Sequence, residues 1–371
     1  MKFWTLDEPD IDRIALGAGI LGTGGGGNPY LGSLVAKALL REGRRICLVR
    51  PSDLAADAQV LALSGIGAPT VGVERMAEGD EGLRVVRAME DYTGRRIDAL
   101  IADEVGGSNA MTPMIAAAKL DIPVVDADGM GRAFPEVQMT TFFVHGHVSH
   151  PAVLADFEGN VMVVTAATSP QMLERLLRAG TVAMGCTAYF GTAPMSGAFV
   201  ARYAVPHSLS QAWSLGQTVL AARAGKADPV AAIVAASGGA LLLRGKVSDV
   251  QRSVTGGFVR GRLTVDGLDE DAGRTLRIDI QNENLVARDA GGVLVMVPDL
   301  ICIVDAETGR PIGTEEQRYG LRVAVVALPA HALLRSEAAL GSVGPRAFGY
   351  DFDYAPVGFS SEALPAPGYG A

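Results

Sequence analysis

Apolar and polar positions in the first 130 residues switch repeatedly between two periods. Ile11, Ile14, Ala15 and Ala18 recur at three- and four-residue spacing behind Asp7, a capping residue, and predict a helix over 7–20. Leu31, Leu34, Val35, Ala38 and Leu39 repeat the pattern after Asn28-Pro29, a cap followed by a residue suited to the first helical turn. Short apolar runs then alternate with helical stretches. Arg44–Val49, Gln59–Ser64, Ile97–Ala102 and Ile122–Val125 read as strands, with helices at about 79–92 and from Thr112-Pro113 onward. Apolar strands separated by helices predict a three-layer α/β domain with a mostly parallel sheet over residues 1–166.

The pattern changes twice more. Ser169-Pro170 opens a helix with Met172, Leu173, Leu176 and Leu177 on one face, and 208–224 and 229–237 also read as helices. Residues 167–244 are therefore expected to form a helical connection packed on the first domain. From about residue 245 the period is two: Val259, Leu263 and Val265 alternate with Arg260, Arg262 and Thr264, and Leu276, Ile278 and Ile280 with Arg277, Asp279 and Gln281. Asp289-Ala290-Gly291-Gly292 and Glu307-Thr308-Gly309 are turn signals between such runs. A mostly antiparallel, β-barrel-like domain is expected over 245–355, with a loop-like tail at 356–371. The fold class is α/β plus β.

Between the first two helices lies Thr23-Gly24-Gly25-Gly26-Gly27-Asn28. Four consecutive glycines weaken a helix or strand, so they serve positive φ or close backbone approach. The loop feeds a helix N-terminus, whose free N–H groups suit a carboxylate or phosphate. Tight packing between two helices is the alternative use.

Composition narrows the classes. The chain has 371 residues, 49% hydrophobic and 20% charged, which is globular and long enough for two domains. Its 46 glycines exceed the usual ~7% and cluster at breaks between apolar runs, which points to many tight loops. Net charge is −9 with no basic block, so nucleic acid is not an expected partner. No apolar run reaches the ~20 residues of a membrane helix, and no secretory leader pattern opens the chain, so a cytoplasmic protein without membrane association is expected. Cys47, Cys186 and Cys302 are far apart and form no CxxC, so neither a cysteine zinc site nor a disulfide framework is expected. Cys186 can be a nucleophile, but no histidine is near it in sequence, and a small buried hydrophobe is the commoner role.

Ligands of open α/β sheets bind beyond the carboxyl ends of the parallel strands. Three strands end in Gly-rich polar loops: Ser64–Pro69, Asp103–Asn109 and Asp126–Arg132. With the glycine loop they form a candidate rim. Asp103, Glu104, Asp126 and Asp128 can orient a nucleophilic water or hold a metal, Asn109 adds hydrogen bonds, and Arg132 can clamp an anionic group. Gln281, Asn282 and Glu283, with Asn284, interrupt an alternating strand with polar residues and are a further candidate lining. His145 and His147 would share a face on a strand, as two metal ligands can.

Three runs stand out: Gly22-Thr23-Gly24-Gly25-Gly26-Gly27, Val125-Asp126-Ala127-Asp128-Gly129-Met130-Gly131-Arg132-Ala133-Phe134-Pro135-Glu136, and Gly344-Pro345-Arg346-Ala347-Phe348-Gly349-Tyr350-Asp351. They resemble the S-methyl thiohydantoin desulfurase family, formerly a domain of unknown function associated with hydantoinase and oxoprolinase subunits. Gln281-Asn282-Glu283-Asn284-Leu285 and Pro298-Asp299-Leu300-Ile301 fit its C-terminal half, so the resemblance spans about residues 8–355. It implies an N-terminal three-layer α/β domain, a C-terminal β-barrel-like domain, and removal of sulfur from a thiohydantoin. The expected reaction is hydrolytic: water adds to the ring carbon bearing sulfur, and sulfide or methanethiol departs. The expected ligand is a small cyclic amide or thioamide, with a divalent metal as an optional cofactor and a homo-oligomer as an optional assembly. A non-catalytic subunit that presents hydantoins to a hydantoinase or oxoprolinase is the alternative. A nucleotide-binding loop is disfavoured, because no Lys-Ser/Thr follows the glycines and no strand precedes them.

Overall fold

In the computed structural model, residues 3–68, 71, 79–255 and 258–357 are described. The first helix, α1 (Glu8–Leu21), begins in a reciprocal cap: the Asp7 carboxylate accepts from the Asp10 N–H, and the Asp10 carboxylate from the Asp7 N–H. It buries Ile11, Ile14, Ala15 and Ala18, the face expected from spacing. Next come α2 (Pro29–Arg41), α3 (Glu81–Thr93) and α4 (Met111–Leu120).

Ten strands form the first sheet. Its centre is parallel, in the order β2 (Cys47–Val49), β5 (Val124–Asp128), β4 (Ala99–Ala102) and β3 (Gln59–Gly67). These strands are buried on both faces, which accounts for their continuous apolar runs. Leu48, Leu61, Leu63, Leu100 and Val124 join the main core shared with α1–α4. Val49, Val60, Ala62, Ile101, Val125 and Ala127 point the other way, into a smaller cluster with Phe142 and Val200.

The centre is the parallel sheet expected from the apolar runs, and its flanks are antiparallel. β1 (Phe3–Thr5) pairs with β2; β8 (Thr187–Gly191), β6 (Ala152–Ala155) and β7 (Val161–Val164) extend the sheet beyond β3. The stretch 167–244 is therefore not helical alone. It contributes β8 and the two-residue strands β9 (Met195–Ser196) and β10 (Val205–Pro206) to this sheet. The helices read from the sequence are present as α6 (Pro170–Ala183), α8 (Ser208–Ala224) and α9 (Pro229–Ser237), with the short α5 (Thr141–Val144) and α7 (Gly197–Tyr203) besides. Helix α8 lies along α1 at close range: a Cβ on Gly17 would sit 1.8 Å from the Ala212 carbonyl oxygen, and one on Gly216 1.9 Å from that of Arg13.

The period-two region folds as a seven-stranded antiparallel sheet. Its order is β15 (Gly292–Met296), β14 (Glu283–Asp289), β13 (Thr275–Gln281), β12 (Phe258–Gly267), β11 (Ala240–Thr255), β17 (Arg322–Leu328) and β16 (Leu300–Asp305). The sheet curls around Leu263, Val265, Leu276, Ile278 and Ile280 without hydrogen bonds between its outer strands, so it is a half-barrel. Its first strand starts at Ala240, earlier than the expected boundary at 245. The chain then passes through α10 (Glu337–Val343), and Phe348 stacks on Phe134 of the first domain at 6.4 Å. Most of the expected tail, 358–371, lies outside the described residues.

Candidate active site at the domain junction

The joint between the domains is built on Arg132, whose side chain is fully buried. Its Nε donates to the Ala133 carbonyl, Nη1 to those of Pro298 and Asp299, and Nη2 to Thr23 Oγ1 and the Asn284 carbonyl. The guanidinium lies 4.6 Å from the Phe134 ring centroid. Burial lowers its pKa to about 10, against the pull of Glu283, which still leaves it charged at neutral pH. Expected as a substrate clamp, Arg132 instead binds the loop after β5 to the glycine loop and to the half-barrel, and it does not line the cavity described below.

The glycine loop crosses the same junction. The Thr23 carbonyl accepts from Asn284 N–H and the Gly24 carbonyl from Thr314 N–H, each at 2.8 Å. A Cβ on Gly25 would sit 2.0 Å from Glu283 Oε1, so this glycine makes room for that carboxyl. Gly26 has φ +72°, and a Cβ there would lie 2.3 Å from the Gly106 carbonyl oxygen. The two halves of the loop face different surroundings. Thr23, Gly24 and Gly25 serve packing, whereas Gly26, Gly27 and Asn28 line a cavity. Asn28 also caps α2 by accepting from Tyr30 N–H at 2.9 Å.

That cavity has a volume of about 440 Å³, within the range of small-molecule sites. Segments far apart in sequence converge on it: Gly26–Asn28, Ser64–Ala68 at the end of β3, Asp103, Glu104, Ser108 and Asn109 after β4, Met130 after β5, and Asn282 and Glu283 from the half-barrel. Leu31, Met111, Phe134 and Phe190 supply apolar wall.

Asp103 is 2% exposed, and neither carboxylate oxygen has a hydrogen-bond donor in good geometry. Burial and the neighbouring Asp128 charge push its pKa up to about 7, a rise opposed by the Ser64 hydroxyl. Glu104 is held firmly. Its Oε1 accepts from Asn109 Nδ2 at 2.5 Å and its Oε2 from Phe134 N–H at 3.0 Å. Burial pushes its pKa up to about 8 despite these bonds. Asn109 is oriented in turn by accepting from Gly65 N–H at 2.8 Å. Glu283 is 3% exposed with Oε2 unpartnered, and burial beside Glu104 holds it well above the usual carboxylate range.

The other two aspartates face elsewhere. Asp128 Oδ2 accepts from the backbone N–H groups of Val105, Met130 and Gly131, which braces the two rim loops against each other. Burial raises its pKa to about 7, with those three donors pulling the other way. Asp126 is fully buried and receives Ser210 N–H at 2.9 Å and Ser210 Oγ at 2.5 Å, with His207 Nδ1 at 3.3 Å. It anchors the start of α8 and does not line the cavity. Gln281 is buried at the end of β13, also off the cavity. Asn282, with φ +57°, turns the chain into β14, and its Oδ1 accepts from Val259 N–H.

The histidine expectation fails on secondary structure. His145 and His147 follow the short helix α5 in a turn, not on a strand, so no common face arises. His145 stacks on Tyr203 at 4.4 Å, and His147 Nε2 meets the Ala193 carbonyl oxygen at 2.7 Å. Among the described residues no group of three or more His, Cys, Asp or Glu side chains is arranged to hold a metal ion.

Sequence reasoning missed Glu81, Arg178 and Tyr189 on the cavity wall. Arg178 pairs with Glu174 at 2.7 Å and i,i+4 spacing, a pattern that reads as a solvated helix face. Tyr189 sits on β8, a strand the apolar pattern did not reveal.

The fold and this cavity define a two-domain protein with an acid-lined cavity of small-molecule size between an α/β sheet and a β half-barrel. The chain belongs to the S-methyl thiohydantoin desulfurase family: the S-Me-THD-like N-terminal domain matches residues 9–166 and the S-Me-THD-like C-terminal domain residues 168–357. A crystal structure of a protein from Chromobacterium violaceum is similar at 25% identity and a TM-score of 0.80, covering 95% of this chain and 100% of that one. No curated protein matches the chain. Among the described residues no helix is long and apolar enough to cross a membrane.

Proposed function

We propose that the junction cavity hydrolyses the carbon–sulfur bond of a thiohydantoin or S-methyl thiohydantoin to give the hydantoin. Family membership supports the substrate class. The observation that carries the mechanism is Asp103: a buried carboxyl with no donor in good geometry among the described residues to either oxygen, on a cavity wall, next to Glu104.

Asp103 in its ionised form takes a proton from water as the water oxygen bonds to the ring carbon bearing sulfur. Glu104, neutral at pH 7 because its pKa lies near 8, gives its proton to the ring nitrogen that receives the electron pair. The tetrahedral adduct then collapses. The carbon–sulfur bond breaks, the thiolate takes the proton from Asp103, and Glu104 recovers a proton from the adduct hydroxyl as the new carbonyl forms. Water is consumed, and hydantoin and methanethiol leave. Both side chains sit on a loop fixed by the β4 strand end and by Asn109, so neither has to reorganise at the moment of reaction.

The assignment makes a pH profile. Turnover requires Asp103 ionised and Glu104 protonated, so the rate should rise through about pH 7 and fall above about pH 8. Methanethiol release followed with a thiol reagent across pH 5.5–9.5 (roughly the span where both titrate) tests it. A rate that keeps rising above pH 9 would remove Glu104 as the acid.

A further inference from the structure

The charges around the cavity are lopsided. Its described lining carries five carboxyls (Glu81, Asp103, Glu104, Glu136 and Glu283) against a single cation, Arg178. Arg178 is committed: Nε donates to Glu174 at 2.8 Å, Nη2 donates to the Pro135 carbonyl at 3.1 Å, and its guanidinium lies 4.9 Å from the Phe258 ring centroid. Arg132, behind the wall, gives its donors to four carbonyls and to Thr23 Oγ1, and none to Glu283. Three buried carboxyl oxygens, Asp103 Oδ1 and Oδ2 and Glu283 Oε2, thus have no donor in good geometry among the described residues, the Ser64 hydroxyl being the nearest aid to Asp103. An anionic ligand would meet repulsion there. A planar cation rich in N–H groups would meet the missing partners.

We infer that the cavity selects five-membered rings in the protonated amidine or guanidine form, with Glu283 as the residue that pairs with the ring cation. The inference rests on this cavity being the substrate site. It deepens the desulfurase reading, because an S-alkylated thiohydantoin is a cyclic isothiourea, an amidine-type group. The proton that Glu104 gives to the ring nitrogen makes this ring the cation, its carbon is then more open to attack by water, and Glu283 balances the charge. The hydantoin product is a neutral urea-type ring, so the attraction disappears with the sulfur and favours release. The same logic extends the ligand set to cyclic guanidines, which present the same edge with nitrogen in place of sulfur. Glu283 comes from the half-barrel, whereas Asp103 and Glu104 come from the α/β domain, so discrimination by charge needs both domains.

Two rings of one shape separate charge from fit. The cation is 2-aminoimidazoline and its neutral counterpart imidazolidin-2-one. Calorimetric titration of the full chain at pH 7.5 should give at least ~10-fold tighter binding of the cation, a tenfold change corresponding to about 1.4 kcal/mol. In the empty cavity burial keeps Glu283 protonated, and a cation seated beside it draws that proton off; Glu283→Gln keeps the shape and removes the group that ionises. It should weaken the cation at least ~10-fold and change the neutral ring less than ~2-fold. Equal affinity for the two rings, or an equal loss of both in Glu283→Gln, would overturn the inference. Cation preference surviving Glu283→Gln but lost in Asp103→Asn would overturn the assignment to Glu283. Thiol release measured in parallel keeps the two readings apart: release without cation preference defeats only this inference, and preference without release defeats only the desulfurase reading.

Discussion

Two aspartates that look alike in sequence are put to opposite uses. Asp103 is buried without a donor in good geometry, which costs stability, whereas Asp126 is buried with Ser210 and His207 around it, which supplies stability. Asp103→Asn should lower turnover by roughly 10²–10⁴-fold while leaving the melting temperature at pH 8.5 unchanged or higher, because a carboxyl raised to about pH 7 is ionised at a cost there. Asp126→Asn should do the reverse, keeping turnover per folded molecule near normal and losing about 1.5–3 kcal/mol of stability as hydrogen bonds to a charged group weaken. Turnover and thermal melts on both variants check the pair. Gly25→Ala is a third test at this scale. Its Cβ would collide with Glu283 Oε1 at 2.0 Å, so the carboxyl must leave its place and turnover should fall even where the variant remains folded by circular dichroism.

At the scale of elements, the site depends on three loops held in register by Arg132. Removing its guanidinium leaves the carbonyls of Pro298, Asp299 and Asn284 and the Thr23 hydroxyl without that donor inside a dry junction. Arg132→Met is therefore expected to cost about 3–5 kcal/mol in urea unfolding, as for one member of a buried charge network. A cost below ~1 kcal/mol, the usual worth of an exposed pair, would mean the guanidinium is not what joins the domains. The elements themselves were largely legible in sequence. Helix α1 shows its period and its cap, and α8 and α9 match the stretches 208–224 and 229–237 read from spacing. The antiparallel strands β6, β7 and β8 were not legible: β6 and β7 follow one another with no helix between them, and β8 mixes Thr187 and Gly191 with its apolar residues, so none shows the alternation of apolar run and helix that marks the parallel strands. The rim was visible because glycines and polar residues break apolar runs. Which rim carboxyl faces the cavity was not, because that depends on partners such as Ser210, 84 positions away from Asp126. The His145 and His147 pairing assumed a strand where α5 and a turn stand.

The whole molecule holds several buried acids that bind their protons more tightly folded than unfolded. Asp103 and Asp128 are pushed to about 7 and Glu104 to about 8, from ordinary values of 3.8 and 4.5. The stability they confer is complete below the ordinary carboxylate range and is lost as pH rises through about 7 to 8. His207, raised by its bond to Asp126, acts in the same direction. His147 and His331, lowered by burial, act the other way, and their contribution is lost as pH falls below 6.5. The melting temperature should therefore decline between pH 7 and pH 9 at constant ionic strength, and Asp103→Asn should flatten that decline. A melting temperature that climbs over this interval would contradict the buried, proton-holding state of the cavity acids.

Oxygen tracing follows the proposed addition of water to the ring carbon and the expulsion of its sulfur. Purified protein is incubated with S-methyl thiohydantoin in ¹⁸O-enriched water, and the hydantoin and thiol are quantified by mass spectrometry. Hydrolysis at the ring carbon would place one ¹⁸O atom in the new carbonyl of each hydantoin, release one methanethiol per hydantoin, and lose both products in Asp103→Asn. Ring bound without turnover, or hydantoin formed without label, would contradict it.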